Sequence, residues 1–94
     1  MIDMNDVIKL KTKTRTENED TPEKRIFIVI EEWFKLYDAA RVFDPQSGSR
    51  IVINPRYDVR VYRKYGQLKR IHEETLTMDE CYEKYPWFFS RDDD

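Results

Sequence analysis

The chain has 94 residues, enough for one domain, and its 38% charged and 39% apolar content allows only a compact core. Two Trp, six Tyr and five Phe supply much of that core and argue against a disordered chain. With a formal net charge of −2, one Cys, one His and two Gly, the chain can hold no internal disulfide, Cys/His zinc site, dinucleotide fingerprint or P-loop.

Val7 to Thr16 sets Lys9, Lys11, Lys13 and Arg15 alternately with Ile8, Leu10, Thr12 and Thr14. This period of two predicts a half-exposed strand, and its lysine-rich face suits a sheet edge. After the polar break Glu17 to Asp20, Thr21-Pro22-Glu23 offers a helix cap, a first-turn proline and an acid for the helix dipole. Ile26, Val29, Ile30, Trp33, Leu36, Tyr37 and Ala40 then recur at three- and four-residue steps. We therefore expect a long helix over about 22–41. The competing reading is a strand over Ile26 to Ile30, a strongly β-prone run. Length and the start signal favour the helix.

Residues 44–49 read as a loop, and Ile51 to Ile53 as a short strand stopped by Asn54-Pro55. Tyr57 to Tyr65 and Leu68 to Thr75 read as the arms of a hairpin turning near Gly66, with its register open. A rival reading makes Leu68 to Leu76 helical, because Leu68, Ile71, His72, Thr75 and Leu76 also fit a 3.6 period. Thr77 and Glu80 form a capping box opening a short helix over about 78–85, and Pro86 stops or kinks it. The expected fold is a single α+β domain, an antiparallel sheet of three or four strands packed by the long helix and the short C-terminal one. Residues 1–94 form that one domain, with 1–4 and 90–94 frayed.

No apolar run approaches the ~18–20 residues of a membrane span, and the start lacks a signal-peptide pattern. A cytoplasmic, non-membrane setting is the expectation, which would be the host's cytoplasm for a virus-encoded chain.

Charge is distributed in blocks. Residues 45–72 carry +6 and residues 73–94 carry −6, so the small net charge hides a basic block beside an acidic one. Such asymmetry bears on partners and association rates.

Catalytic candidates are weak. His72 and Cys81 could in principle pair as base and nucleophile, yet Cys81 lies on an apolar helix face where a small buried residue is the ordinary explanation. Glu73, Glu74, Asp79 and Glu80 lack the convergent spacing of a cation site, and two of them already serve the helix start. We expect neither enzymatic activity nor a cofactor nor a metal.

Two surfaces stand out. Arg56, Arg60, Tyr62, Arg63, Lys64, Lys69 and Arg70 mix cations with rings on the predicted hairpin, a pattern that serves protein or nucleic acid. Alternation splits them, with Tyr57, Val59, Val61, Arg63 and Tyr65 on one face and Asp58, Arg60, Tyr62 and Lys64 on the other. The second surface is Tyr82, Tyr85, Trp87, Phe88 and Phe89. These rings either close the core over the sheet or leave some area for a partner, since three adjacent rings cannot all point inward from a regular helix or strand. The expected function is a small adaptor or inhibitor docking on a larger protein, in the manner of regulatory or phage accessory proteins. Self-association is an option, and RNA or single-stranded DNA binding through residues 56–70 is the alternative.

Overall fold

The computed structural model describes residues 6–18, 24–46 and 48–90. Among the described residues six strands run in chain order: β1 (Val7–Asn18), β2 (Arg25–Lys35), β3 (Ala40–Asp44), β4 (Gly48–Val52), β5 (Arg56–Tyr65) and β6 (Gln67–Leu76). One helix follows, α1 (Met78–Lys84), and short 3-10 turns occupy Leu36–Asp38 and Pro86–Phe89. Strands β1, β2, β5 and β6 form one fully antiparallel sheet in the order β1-β2-β5-β6, and β3 and β4 pair as a separate hairpin.

The expected long helix over 22–41 does not form, so the α+β expectation gives way to a predominantly β fold with one seven-residue helix among the described residues. Its core segment is β2, a central strand paired on both sides, to β1 and to β5. Both faces of this strand are apolar over part of its length. Ile26, Ile28 and Ile30 alternate with Phe27, Val29 and Trp33, and the two sets superimposed imitate helical spacing. Four β-branched residues within Ile26–Ile30 also lose little side-chain freedom in a strand. The start signal Thr21-Pro22-Glu23 lies outside the described residues, as do positions 1–4 and 91–94 of the ends 1–4 and 90–94 expected to fray, while Ser90 is described and accepts from Lys13. Within the predicted end of the helix, Leu36–Asp38 is a 3-10 turn, and Ala40 already begins β3.

The other expectations fare better. The hairpin of β5 and β6 turns at Gly66, whose φ of 80° suits a residue without a Cβ, and Tyr65 pairs with Gln67. A bulge at Ile71 shifts the register between Val61 and Tyr62, which is why spacing alone left the register open. The helical rival for Leu68 to Leu76 is excluded by β6. The predicted loop 44–49 is shorter than expected, since Asp44 ends β3 and Gly48 opens β4; Asp44 Oδ1 accepts from the Gln46 N–H at 2.9 Å.

A small core lies on one sheet face, where α1 and the final 3-10 turn cover it. Ile30, Tyr57, Val59, Leu76, Cys81 and Phe88 are buried, with Ile28, Val61, Tyr85, Trp87 and Phe89 packed at its border. Thr77 caps α1 as predicted: its Oγ1 accepts from the Glu80 N–H, and the Glu80 carboxylate accepts from the Thr77 N–H at 2.9 Å. Lys11, Lys13 and Arg15 of β1 turn inward to this cover, whereas a bulge between Lys9 and Lys11 leaves Lys9 on the opposite face beside Glu31. Lys11 Nζ donates to Phe88 O at 3.2 Å and Lys13 Nζ to Ser90 O at 2.9 Å. These ammonium groups donate to carbonyls at the end of the closing turn, and Lys11 also lies 4.8 Å from the Phe88 ring centroid. The edge-strand lysines therefore fasten the C-terminal cover to the first strand.

The molecule is long, 56 × 29 × 22 Å, with a radius of gyration of 17.0 Å against about 12 Å for a compact chain of this length. The substantial packing of the β3–β4 hairpin is confined to its own two strands.

Candidate binding face

The cover occupies one sheet face, and no helix or strand of the described residues packs across the other. Register defines what the open face carries. Thr14, Val29, Arg60 and Glu73 form one row across the four strands, and Thr16, Phe27, Tyr62 and Arg70 form the next. Beyond them Arg25 stands directly opposite Lys64, which in turn pairs with Leu68.

The apolar members of these rows leave a groove of about 360 Å³ lined by Thr14, Phe27, Val29, Tyr62, Lys64 and Leu68. Phe27, Val29 and Tyr62 are half-buried, and Leu68 is 60% exposed. Tyr62 and Lys64 reach this face because they alternate with Tyr57, Val59 and Val61, whose turn to the core follows from the same pleat. A second depression on the same face lies between Val7, Lys9, Glu31, Trp33, Asp58 and Arg60. The Trp33 Nε1 group there is covered and has no acceptor among the described residues.

The cations of this face fall into two groups. Arg60 is held between Glu73 at 3.1 Å and Asp58 at 3.7 Å, and Arg70 lies 3.5 Å from Glu73. The Glu73 hydrogen bond is the main cause holding the Arg60 guanidinium above its ordinary pKa. Arg25 and Lys64, by contrast, have no partner among the described residues, although like charges placed directly opposite repel. Lys69 also lacks a partner there, but with Arg63 it belongs to the opposite side of the sheet. Arg56 lies at the other end of β5, its Nη1 donating to Pro55 O at 3.4 Å. The seven hairpin residues singled out from sequence are thus not one patch. Arg60, Tyr62, Lys64 and Arg70 share the open face, and only Lys64 combines the groove with an uncompensated charge.

The C-terminal rings have mostly another place. Phe88 is buried, edge-on to Tyr57 at 5.5 Å and to Phe89 at 5.2 Å. Tyr85 and Trp87 meet edge-on at 6.3 Å, and both are half-buried, as is Phe89. A 3-10 turn, with about three residues per turn, rotates successive rings around the cover rather than along one face. Tyr82 alone is largely exposed, at 61%. Phe27, Val29 and Leu68 are groove residues that the sequence reading passed over. The signal was present in the apolar run Ile26–Ile30, but a helical reading assigns Phe27 no sheet face.

The rejected chemical candidates also find their places. Cys81 is buried, and burial foremost, with Glu32 and Glu74 nearby, pushes its thiol up to about 11. Such a thiol is uncharged at neutral pH and a poor nucleophile. His72 Nε2 lies 3.1 Å from Glu74, which Lys84 also meets at 3.1 Å and the Tyr85 hydroxyl at 3.5 Å. Burial raises the Glu74 pKa, but hydrogen bonds from His72 and Lys84 outweigh it and leave the group below its ordinary value. Glu74 therefore joins β6 to α1. Tyr57 donates to Glu32 at 2.5 Å, and its phenol is raised by burial and by that carboxylate. Among the described residues no group of acidic, His or Cys side chains is arranged to hold a metal, and no helix is long and apolar enough to cross a membrane.

Compared with known proteins, the chain matches no family model, no curated protein and no solved structure.

Proposed function

We propose that the chain is a non-catalytic protein-binding module, an adaptor or inhibitor that docks a larger cytoplasmic protein on its uncovered sheet face. The observation that carries this reading is the groove between Phe27, Val29, Tyr62 and Leu68, bordered by Lys64 and Arg25, which have no partner among the described residues. Such a site takes an apolar side chain flanked by acidic residues: the rings and aliphatic walls supply affinity, while the cations speed and orient encounter. The alternative is single-stranded nucleic acid, which the cross-strand pair Phe27 and Tyr62 could stack. It is less favoured because Arg60 and Arg70 are already engaged by Asp58 and Glu73, leaving few free cations to follow a phosphate chain.

The test is capture from native lysate at low and moderate salt, with and without nuclease, by the wild-type chain and by Tyr62→Ala and Lys64→Glu. A stoichiometric protein that survives nuclease and moderate salt and is lost with Tyr62→Ala is the expected result. Capture abolished by nuclease would transfer the face to nucleic acid. A captured protein indifferent to both substitutions would remove the sheet face from the reading.

A further inference from the structure

We propose that the groove of the open sheet face recognises a phosphotyrosyl side chain of the docked protein, its ring lying against Phe27, Tyr62 and Leu68 and its phosphate between Arg25 and Lys64. The inference rests on the docking reading above and names the chemistry of the docked segment.

It starts from an electrostatic imbalance. Arg25 and Lys64 stand directly opposite each other in the β2–β5 register, both are exposed, and neither has a partner among the described residues. Like charges so placed repel. The acids of this face are engaged elsewhere: Asp58 and Glu73 hold Arg60, and Glu31 meets Lys9 at 3.4 Å. Lys24, Arg63 and Lys69 belong to the same end of the sheet and add to its positive field. An anion between Arg25 and Lys64 relieves their repulsion. A phosphate, with a charge of about −1.5 to −2 near neutral pH, offsets both cations, where one carboxylate offsets one. The Arg25 guanidinium suits phosphate with paired N–H donors, and Lys64 adds a mobile point charge.

The apolar part of the groove sets where that phosphate must be carried. Phe27 and Tyr62 form the next row along the strands, roughly 7 Å from the cation row. A tyrosyl ring with its para phosphate bridges such a step. Phe27 and Tyr62 are half-buried and Leu68, opposite Lys64, is exposed, so a groove of about 360 Å³ offers a second ring faces to pack on beside the ammonium. Phosphoserine and phosphothreonine carry the phosphate next to Cβ and bring no ring, leaving the groove empty. In an extended partner the residues adjoining an anchor point the other way, so one side chain bearing both ring and dianion matches these two rows better than a ring with neighbouring acids.

Fluorescence anisotropy of the full chain in phosphate-free buffer tests this, with short labelled peptides of randomised flanks around a central phosphotyrosine, tyrosine or phosphoserine. The phosphotyrosyl set should bind about tenfold or more tighter than either of the others. Arg25→Gln and Lys64→Gln, both at exposed positions outside the core, should each weaken that binding about tenfold, with far-UV circular dichroism showing the fold retained. Leu68→Ser should narrow the advantage over phosphoserine. Equal binding of the phosphotyrosyl and tyrosyl sets, equal binding of the phosphotyrosyl and phosphoserine sets, no binding of any set, or full affinity in Lys64→Gln would each overturn the proposal. A lysate protein still captured through Tyr62 after phosphatase treatment would leave the docking reading standing and remove this one. Phosphotyrosyl binding that needs Lys64, with no Tyr62-dependent capture from lysate, would uphold the site and count against that capture, so the two readings fail separately.

Discussion

Phe88→Ala is the substitution that most directly tests how the cover is built. The ring is 1% exposed, meets Tyr57 and Phe89 edge-on, and carries Lys11 over its face at 4.8 Å. Removing it deletes a fully buried aromatic and leaves a cavity between the sheet and the closing turn, a change that costs about 3–5 kcal/mol in well-packed cores. Each edge-to-face contact contributes about 0.5–1.5 kcal/mol of that total beyond area alone. A domain of this length has about 5–14 kcal/mol of stability, so the loss is a large fraction of it. With a urea slope of about 1 kcal/mol per molar, the midpoint should fall by about 3 M or more, or the chain should be unfolded without denaturant. Urea titration followed by far-UV circular dichroism reads this, with Tyr65→Ala as the control. Tyr65 is mostly exposed and touches Lys24 only through its ring face, so its loss should cost less than about 1 kcal/mol. A Phe88→Ala midpoint within the range of the Tyr65→Ala control would refute the assignment of Phe88 to the core.

Two further outcomes follow from Cys81 and Glu74. Because the folded Cys81 thiol is raised to about 11 from its ordinary 9.0, its stabilising contribution is complete below pH ~9 and is lost as pH rises from 9 to 11. Cys81→Ala should flatten that part of the urea midpoint against pH, and a thiol reagent at pH 8 should modify the wild type only after denaturant is added; rapid modification of the native chain would contradict the burial. Glu74 is shifted the other way, so its contribution is present above its unfolded pKa and fades as pH falls through the lowered folded value. Glu74→Gln should cost about 1 kcal/mol near neutral pH, after allowance for its partial exposure, and should lessen the loss of stability in acid; equal acid sensitivity in both chains would remove Glu74 as the tie between β6 and α1.

The features legible in the sequence were those written by neighbouring residues. Gly66 between two β-prone arms specified the β5–β6 turn, and Thr77 with Glu80 specified the start of α1, because a turn or a cap needs only the residues within three positions of it. Alternation along Tyr57 to Val61 likewise told which side chains share a face, though not which face meets the core. Tertiary structure decided what depends on distant partners. Ile26 to Ile30 fits a helix by spacing and a strand by residue type. Pairing with β1 on one side and with β5, some thirty residues away, on the other resolves it by filling the backbone ladder on both edges. The same ladder created the open groove, since Phe27 and Tyr62 are adjacent only across strands. The lysines of β1 could not be read as anchors, because the carbonyls they bind lie more than seventy residues further on. Nor could Phe88 be told from Tyr82, both aromatic and six positions apart, until the sheet lay beneath one and solvent beside the other.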